Sequence, residues 1–345
     1  MFRKTLFFLI TVLLFSLVVI AIGEVATRLF LPKPVIEPPE NTALKDDELG
    51  WKMTPNYSFK GTLKDRDGAA YEDSISYDEN GFKAFGDTAS ARPKILFLGD
   101  SYTASRQVSN NKSFFKIIGD SLGAEIFAYG HPGYGTLQEY MIFDKWVGKI
   151  KPDVVVWQVC SNDFIDNYAG LEMVCGYGVG ERRPYLNEQG EIYYKRPLTL
   201  FQKIQEHIWF FKWLDSRWDN LLAKVKKEDI KVGEYYIAND KRDFEPFDKS
   251  VIITEKIVKK IKERLPKNTK LTAFTSDMYQ PQRSEFRRIF ESNGFTFLEK
   301  PAQAVQKAEY QKMVVKAADG YHWNMKGHEL VANSLLPELK KLLEN

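Results

Sequence analysis

The sequence predicts an α/β fold, a three-layer sandwich with a mainly parallel sheet, preceded by one N-terminal membrane-spanning helix. Three observations predict it. From residue 94 onward, short apolar runs alternate with longer amphipathic stretches, the rhythm of a parallel sheet covered by helices on both faces. The apolar runs are nearly unbroken, as strands buried on both faces require. Before them lies an uncharged stretch, residues 5–23, rich in Leu, Phe, Ile and Val and bounded by Arg3-Lys4 and Glu24.

In chain order, residues 1–23 read as a membrane anchor. A spanning helix needs roughly 20 apolar residues, whereas the apolar part of a cleaved secretory signal is about 7–15 long. Length therefore favours an uncleaved anchor, although Ala21-Ile22-Gly23 has the small residues of a cleavage site. The basic pair before the helix keeps the N-terminus cytoplasmic and exports the chain beyond Gly23. Residues 24–47 read as a linker, held extended by Pro32, Pro34, Pro38 and Pro39. Residues 48–93 lack a helical period and read as an extension of short strands and turns, with a turn signal at Asp78-Glu79-Asn80-Gly81.

The main domain spans residues 94–345. Strands are expected at 95–98, 125–129, 154–159, 271–275 and 295–298, and helices at 113–122, 137–150, 251–265, 284–291 and 325–343. An insertion at about 164–250 interrupts the alternation. Within it Phe201, Ile204, Ile208, Phe211, Leu214, Trp218 and Leu222 recur at helical spacing, flanked by Trp209 and Trp213. Such a stripe is read first as core packing and second as a substrate platform, for sugar rings, or a membrane-facing surface.

Composition narrows the function. The 345 residues are 44% hydrophobic and 28% charged, which excludes a disordered or polytopic membrane chain. Net charge is +3, with Arg3 and Lys4 ahead of the apolar run, so the exported part is near neutral and no nucleic-acid partner is expected. Cys160 and Cys175 are too few for a disulfide scaffold or a four-cysteine zinc site. No Gly-x-Gly-x-x-Gly follows the first strand of the main domain, and no ligand spacing suggests a metal, so no cofactor is expected.

The chemistry points to Ser101. It follows the strand 95–98 directly, at the end where open α/β sheets collect ligands. A serine nucleophile needs a base, and a histidine oriented by a carboxylate is the usual one. Of four histidines, His131 lies in a Gly-Pro turn, His207 in the insertion and His328 inside the last helix. His322 lies in a loop with Asp319 three residues before it, a spacing that lets the carboxylate reach Nδ1 and leave Nε2 for the serine. Oxyanion donors are available from the turn Gly130-His131-Pro132-Gly133-Tyr134-Gly135 and from Asn162 in Cys160-Ser161-Asn162-Asp163. Asp100 reads as structural.

In order and location these blocks resemble those of the SGNH hydrolases, or GDSL-type esterases and lipases, over roughly residues 94–345. Gly99-Asp100-Ser101 looks like the nucleophile block, Gly133 the glycine block, Asn162-Asp163 the asparagine block and Asp319 to His322 the Asp-x-x-His block. The resemblance implies a flavodoxin-like sandwich, with Ser101 as nucleophile, His322 as base and Asp319 as orienting acid. It also implies oxyanion donors from the Ser101 and Gly133 backbone and the Asn162 side chain. The sequence departs from the family pattern at Tyr102, where the name-giving motif has leucine, and at Cys160, where many members have glycine.

The expectation is a membrane-anchored bacterial serine esterase with its catalytic domain on the periplasmic or extracellular side of the inner membrane. Its expected substrate is an O-acyl ester, such as an acetyl ester, on a small molecule, an envelope polysaccharide or a glycolipid. Two alternatives remain: an O-acyltransferase using the same three residues, and a non-catalytic exported carbohydrate-binding scaffold.

Overall fold

The computed structural model describes residues 2–30, 43–175, 183–187, 189–194, 210 and 232–344. Residues 1–37 and 196–232 group into one compact unit, and residues 38–195 with 233–345 into another. The aromatic stripe of the insertion, His207 and the prolines of the linker lie outside the described residues.

In the first unit, helix α1 (Phe2–Phe30) is long and apolar enough to cross a membrane, with a mean hydropathy of 3.0 in its most apolar window. It runs seven residues past the expected end at residue 23. Polarity does not end a helix: Glu24 and Arg28 sit one turn apart and pair at 2.7 Å, a spacing that supports helix. Of the residues expected as a linker, 24–30 are thus helical and Ala43–Asp46 is a strand, β1, pairing with β2 (Gly50–Met53), while 31–42 lie outside the described residues.

The second unit carries the sheet. Its strands are β5 (Ala84–Phe85), β6 (Lys94–Gly99), β7 (Glu125–Gly130), β8 (Val154–Val159), β11 (Lys270–Thr275) and β12 (Thr296–Leu298). Their spatial order is β12-β11-β8-β6-β7-β5, parallel throughout except for β5, which pairs antiparallel with β7 at the edge. The five parallel strands have the doubly wound 2-1-3-4-5 order of flavodoxin-like sheets, with the winding reversing between β6 and β8.

Alternate residues of each strand feed opposite layers. Leu96, Leu98, Phe127, Val155 and Trp157 pack against α4 (Thr136–Ile150), α8 (Glu245–Arg264) and α9 (Gln282–Ser292). Ile95, Phe97, Ile126, Val154 and Val156 pack against α3 (Phe114–Leu122), α10 (Lys300–Tyr310) and α11 (Met325–Glu344). The expected strands and helices are found within a few residues of their predicted bounds, apart from α8, which begins six residues early. Helix α10 was not among them.

The extension before residue 94 does more than cover the sheet. Its hairpin, β3 (Ser58–Lys64) with β4 (Ala70–Ser76), and the residue following it reach the loop after Ser101. Tyr71 Oη donates to the Gln107 carbonyl at 2.7 Å, and Tyr77 Oη to that of Ala104 at 2.9 Å. Buried Lys83 donates to the carbonyls of Ser105 and, at 2.7 Å, Val108. The expected insertion contributes short elements of its own: α5 (Asp163–Asn167), α6 (Ala169–Cys175), the hairpin β9 (Pro184–Leu186) with β10 (Ile192–Tyr194), and α7 (Val232–Asp240). Its ends belong to the core: Phe164 stacks on Phe286 and meets Phe247 edge-on.

Candidate active site

Ser101 begins a four-residue helix, α2 (Ser101–Ala104), directly after β6. Asp100 shapes this turn: its carboxylate accepts from the Tyr102 N–H at 2.9 Å, while its own N–H donates to Gln158 Oε1. Ser105 closes the turn in the left-handed region, its N–H donating to the Ser101 carbonyl. The chain from β7 passes so close that a Cβ at Gly130 would lie 2.4 Å from the Ala104 nitrogen, so only glycine fits.

His322 Nε2 lies 2.8 Å from Ser101 Oγ, and His322 Nδ1 lies 2.6 Å from Asp319 Oδ2. The other oxygen, Asp319 Oδ1, accepts from the N–H groups of Tyr321 and His322 at 2.8 and 2.9 Å. The Asp-x-x-His spacing is thus a local turn in which one carboxylate fixes both the loop and the ring. Burial alone would raise the Asp319 pKa, but the bonds and charge of His322 and the two backbone N–H groups outweigh it and hold the pKa below normal. An ionised Asp319 only accepts, so Nδ1 carries the ring proton and Nε2 is free to accept from Ser101.

Gly133 and Asn162 are placed by a separate set of bonds, on the loops after β7 and β8 at the same edge of the sheet. Gly133 has φ +76°, a conformation that favours glycine, and its carbonyl accepts from Arg183 Nη1 at 2.6 Å. Asn162 Nδ2 donates to Asp166 Oδ2 at 2.9 Å, one helical turn away. The neighbouring carboxylate of Asp277, just past β11, accepts from the Ser161 N–H at 2.9 Å and the Cys160 thiol at 3.1 Å. Cys160, one of the two departures from the family pattern, thereby anchors the Asn162 loop to the next strand. Burial first, and then Asp277, push its thiol well above the usual range, keeping it protonated as the donor. Neither cysteine forms a disulfide, and both are buried.

Beneath these loops Asp100, Glu139 and Asp163 are buried close enough to repel one another. Burial, and then for Glu139 and Asp163 the neighbouring carboxylates, push the pKa values up, to about 6 for Asp100. Two of the remaining histidines have structural partners. His131 Nδ1 accepts from Trp51 Nε1 at 3.0 Å, and buried His328 accepts from the Phe114 N–H and stacks on its ring.

No protein-family model matches the chain, and no curated protein does. Several solved structures are similar to it. The psychrotrophic esterase EstA from Pseudoalteromonas sp. is 14% identical, covering 73% of this chain and 99% of its own, with a TM-score of 0.40. The acetylxylan esterase Axe2 from Geobacillus stearothermophilus is also 14% identical, covering 72% and 94%, with the same score. A family 2 carbohydrate esterase from Corynascus thermopiles is 12% identical, covering 81% and 72%, again at 0.40. Likenesses of this size leave the functional reading to the geometry.

Gln107, Asp166 and Asp277, which no motif in the sequence marks, support the site, and so does Tyr102, which the sequence marks only as a departure from the family pattern. Gln107 Nε2 donates to Asp319 Oδ2 at 3.2 Å. Tyr102 packs 5.2 Å from the His322 ring and donates to the Tyr321 carbonyl at 3.3 Å, so the other departure from the family pattern ties the serine turn to the histidine loop. Asp166 and Asp277 hold the Asn162 loop. Of the unmarked three, only Asp166 left a readable signal, the i,i+4 spacing from Asn162 at a helix start.

Proposed function

We propose that the chain is a serine esterase of SGNH type, anchored in the membrane by α1, that removes a short O-acyl group from envelope carbohydrate or glycolipid. The observation that carries this reading is the continuous hydrogen-bonded line from Ser101 Oγ through the His322 ring to Asp319, with bonds of 2.8 and 2.6 Å, at the carboxyl edge of a doubly wound sheet.

In this mechanism Nε2 takes the Ser101 proton as Oγ attacks the acyl carbonyl, and Asp319 stabilises the imidazolium that forms. The carbonyl oxygen becomes an oxyanion facing the N–H groups of Ser101 and Gly133 and the Asn162 amide. His322 then gives its proton to the departing sugar oxygen as the C–O bond breaks, so that the sugar leaves as its hydroxyl and the acyl group stays on Ser101. A water activated by the same nitrogen releases the acid. The support for an envelope substrate is the N-terminal helix, with its basic pair on the cytoplasmic side and the acyl-transfer site beyond it.

The test uses the full-length chain in detergent micelles. It is expected to hydrolyse 4-nitrophenyl acetate and release acetate from envelope polysaccharide, with both activities lost in Ser101→Ala. Release of long-chain acids from lipid extracts alone would replace this reading with a lipase, and acylated product with an added sugar acceptor would replace it with a transferase. Protease added to intact spheroplasts should digest the domain; protection would place it in the cytoplasm.

A further inference from the structure

Arg183 belongs to neither the serine turn nor the histidine loop, yet it touches both loops assigned to the oxyanion. Its side chain is 3% exposed and lies just before the short strand β9, inside the expected insertion. Nη1 donates to the Gly133 carbonyl at 2.6 Å and to Gln138 Oε1 at 3.2 Å. Nη2 pairs with Asp166 Oδ1 at 2.9 Å, Nε lies 3.3 Å from Glu172 Oε1, and the guanidinium sits over the Trp51 ring with its carbon 5.0 Å from the centroid. The other oxygen of Asp166 holds Asn162 Nδ2.

We propose that Arg183 is a positioning residue that fixes Gly133 and Asn162 in one frame and so sets the geometry of the oxyanion site. The inference rests on the esterase reading above. A glycine at positive φ has wide freedom, and here its carbonyl is held by a planar, fixed fork. A second arm of that fork orients the carboxylate that orients Asn162. One guanidinium therefore sets the spacing between two donors that the sequence separates by 29 positions.

Charge adds to this role. Asp166 and Glu172 are 6% and 0% exposed, and carboxylates so placed beside a developing oxyanion oppose it unless they are neutralised. Arg183, with one positive charge set between the two, offsets part of that repulsion. A lysine retains the positive charge but is a point donor that cannot bond Gly133 and Asp166 in the same plane.

The test compares the full-length native chain with Arg183→Lys, Asp166→Asn and Ser101→Ala in detergent. Turnover of an aryl acetate and of its thionoacetate analogue is measured, with folded protein in the chains that keep Ser101 counted by titration of that serine with a phosphonate ester. The sulfur of a thionoester accepts hydrogen bonds weakly, so its turnover depends less on oxyanion donors. Arg183→Lys is expected to lower kcat for the oxygen ester by roughly tenfold to a hundredfold per titrated site, with KM little changed and the thionoester much less affected. Asp166→Asn, which keeps an oxygen for Asn162 but gives up the second oxygen that Arg183 Nη2 holds, should show the same bias to a smaller degree, the broken link outweighing the removal of a negative charge; it decides the matter if Arg183→Lys does not fold. Equal loss on both esters, or native kcat per site, would overturn the proposal. A native chain with no turnover sensitive to Ser101→Ala would remove the esterase reading, and the role of Arg183 with it.

Discussion

The two flanks of Ser101 are built by opposite means. On the base flank, four consecutive residues make a turn in which Asp319 binds the N–H groups of Tyr321 and His322 and also the imidazole. On the other flank, the loops carrying Gly133 and Asn162 are tied to each other and to their surroundings by buried charges, Arg183, Asp166 and Glu172, and by Asp277 just past the neighbouring strand β11. A group that must move a proton needs one well-aimed carboxylate, and local chain geometry can supply it. Donors that converge on one oxygen from separate loops need a scaffold between those loops.

The comparison breaks first, and most severely, at the line itself. Ser101→Ala or His322→Ala should lower kcat by about 10⁴-fold or more, and the double variant little further, because the two act as a unit. Additive losses in steady-state kinetics would mean that they act independently. Asp319→Asn should cost roughly 10³-fold to 10⁴-fold, since an amide can present a donor to Nδ1 and favour the wrong tautomer. Within tenfold of native kcat, the carboxylate would be no more than a loop brace.

On the opposite flank Asn162→Ala should lower kcat by roughly 10²-fold to 10³-fold with little change in KM, the loss expected of one oxyanion donor. A rise in KM at constant kcat would make Asn162 a substrate-binding residue instead. Gln107→Leu tests whether the base flank depends on anything beyond its own turn. A single hydrogen bond to a charged group is worth about 1.5–3 kcal/mol, so a loss of roughly tenfold is expected, with roughly 150-fold as the ceiling. If Gln107→Leu costs more than Asn162→Ala in the same assay, the base flank is not locally built.

The same contrast explains what could be read from the sequence. Strands β6, β7 and β8 announce themselves because both of their faces are buried, leaving unbroken runs such as Val154-Val155-Val156-Trp157. Asp319 and His322 are legible because their partnership spans three residues. Arg183 was not legible, because its partner Gly133 lies 50 positions away, and Gln107 meets Asp319 across 212. Helix α10 left only a faint signal, Pro301 in its first turn, masked by the apolar strand just before it. The pairing of β5 with β7 rests on two residues, too few for any period to register.

The smallest expected effect compares two carboxylates of the site through pH. Asp319, with its pKa held below normal, stabilises the fold above the unfolded carboxylate pKa and loses that contribution as pH falls through its folded value. Asp100 is the reverse case. Burial, 1% exposure, is the main reason its pKa rises from 3.8 to about 6, with the nearby Asp166 adding to it; the bonds from Tyr102 and Gln158 and the charge of His322 only partly offset this. Its protonated form is therefore favoured by folding, and that stabilisation, complete below pH 3.8, is lost as pH rises through about 6. Asp100→Asn removes the titration while keeping an oxygen to accept from the Tyr102 N–H. In denaturant unfolding of the full chain, the variant should gain on the native protein by about 1–3 kcal/mol between pH 4 and pH 8, from 1.36 kcal/mol per unit of pKa difference. A stability difference that is flat over this range would show that Asp100 is ionised in the folded protein throughout, and that the floor of the site carries its negative charge.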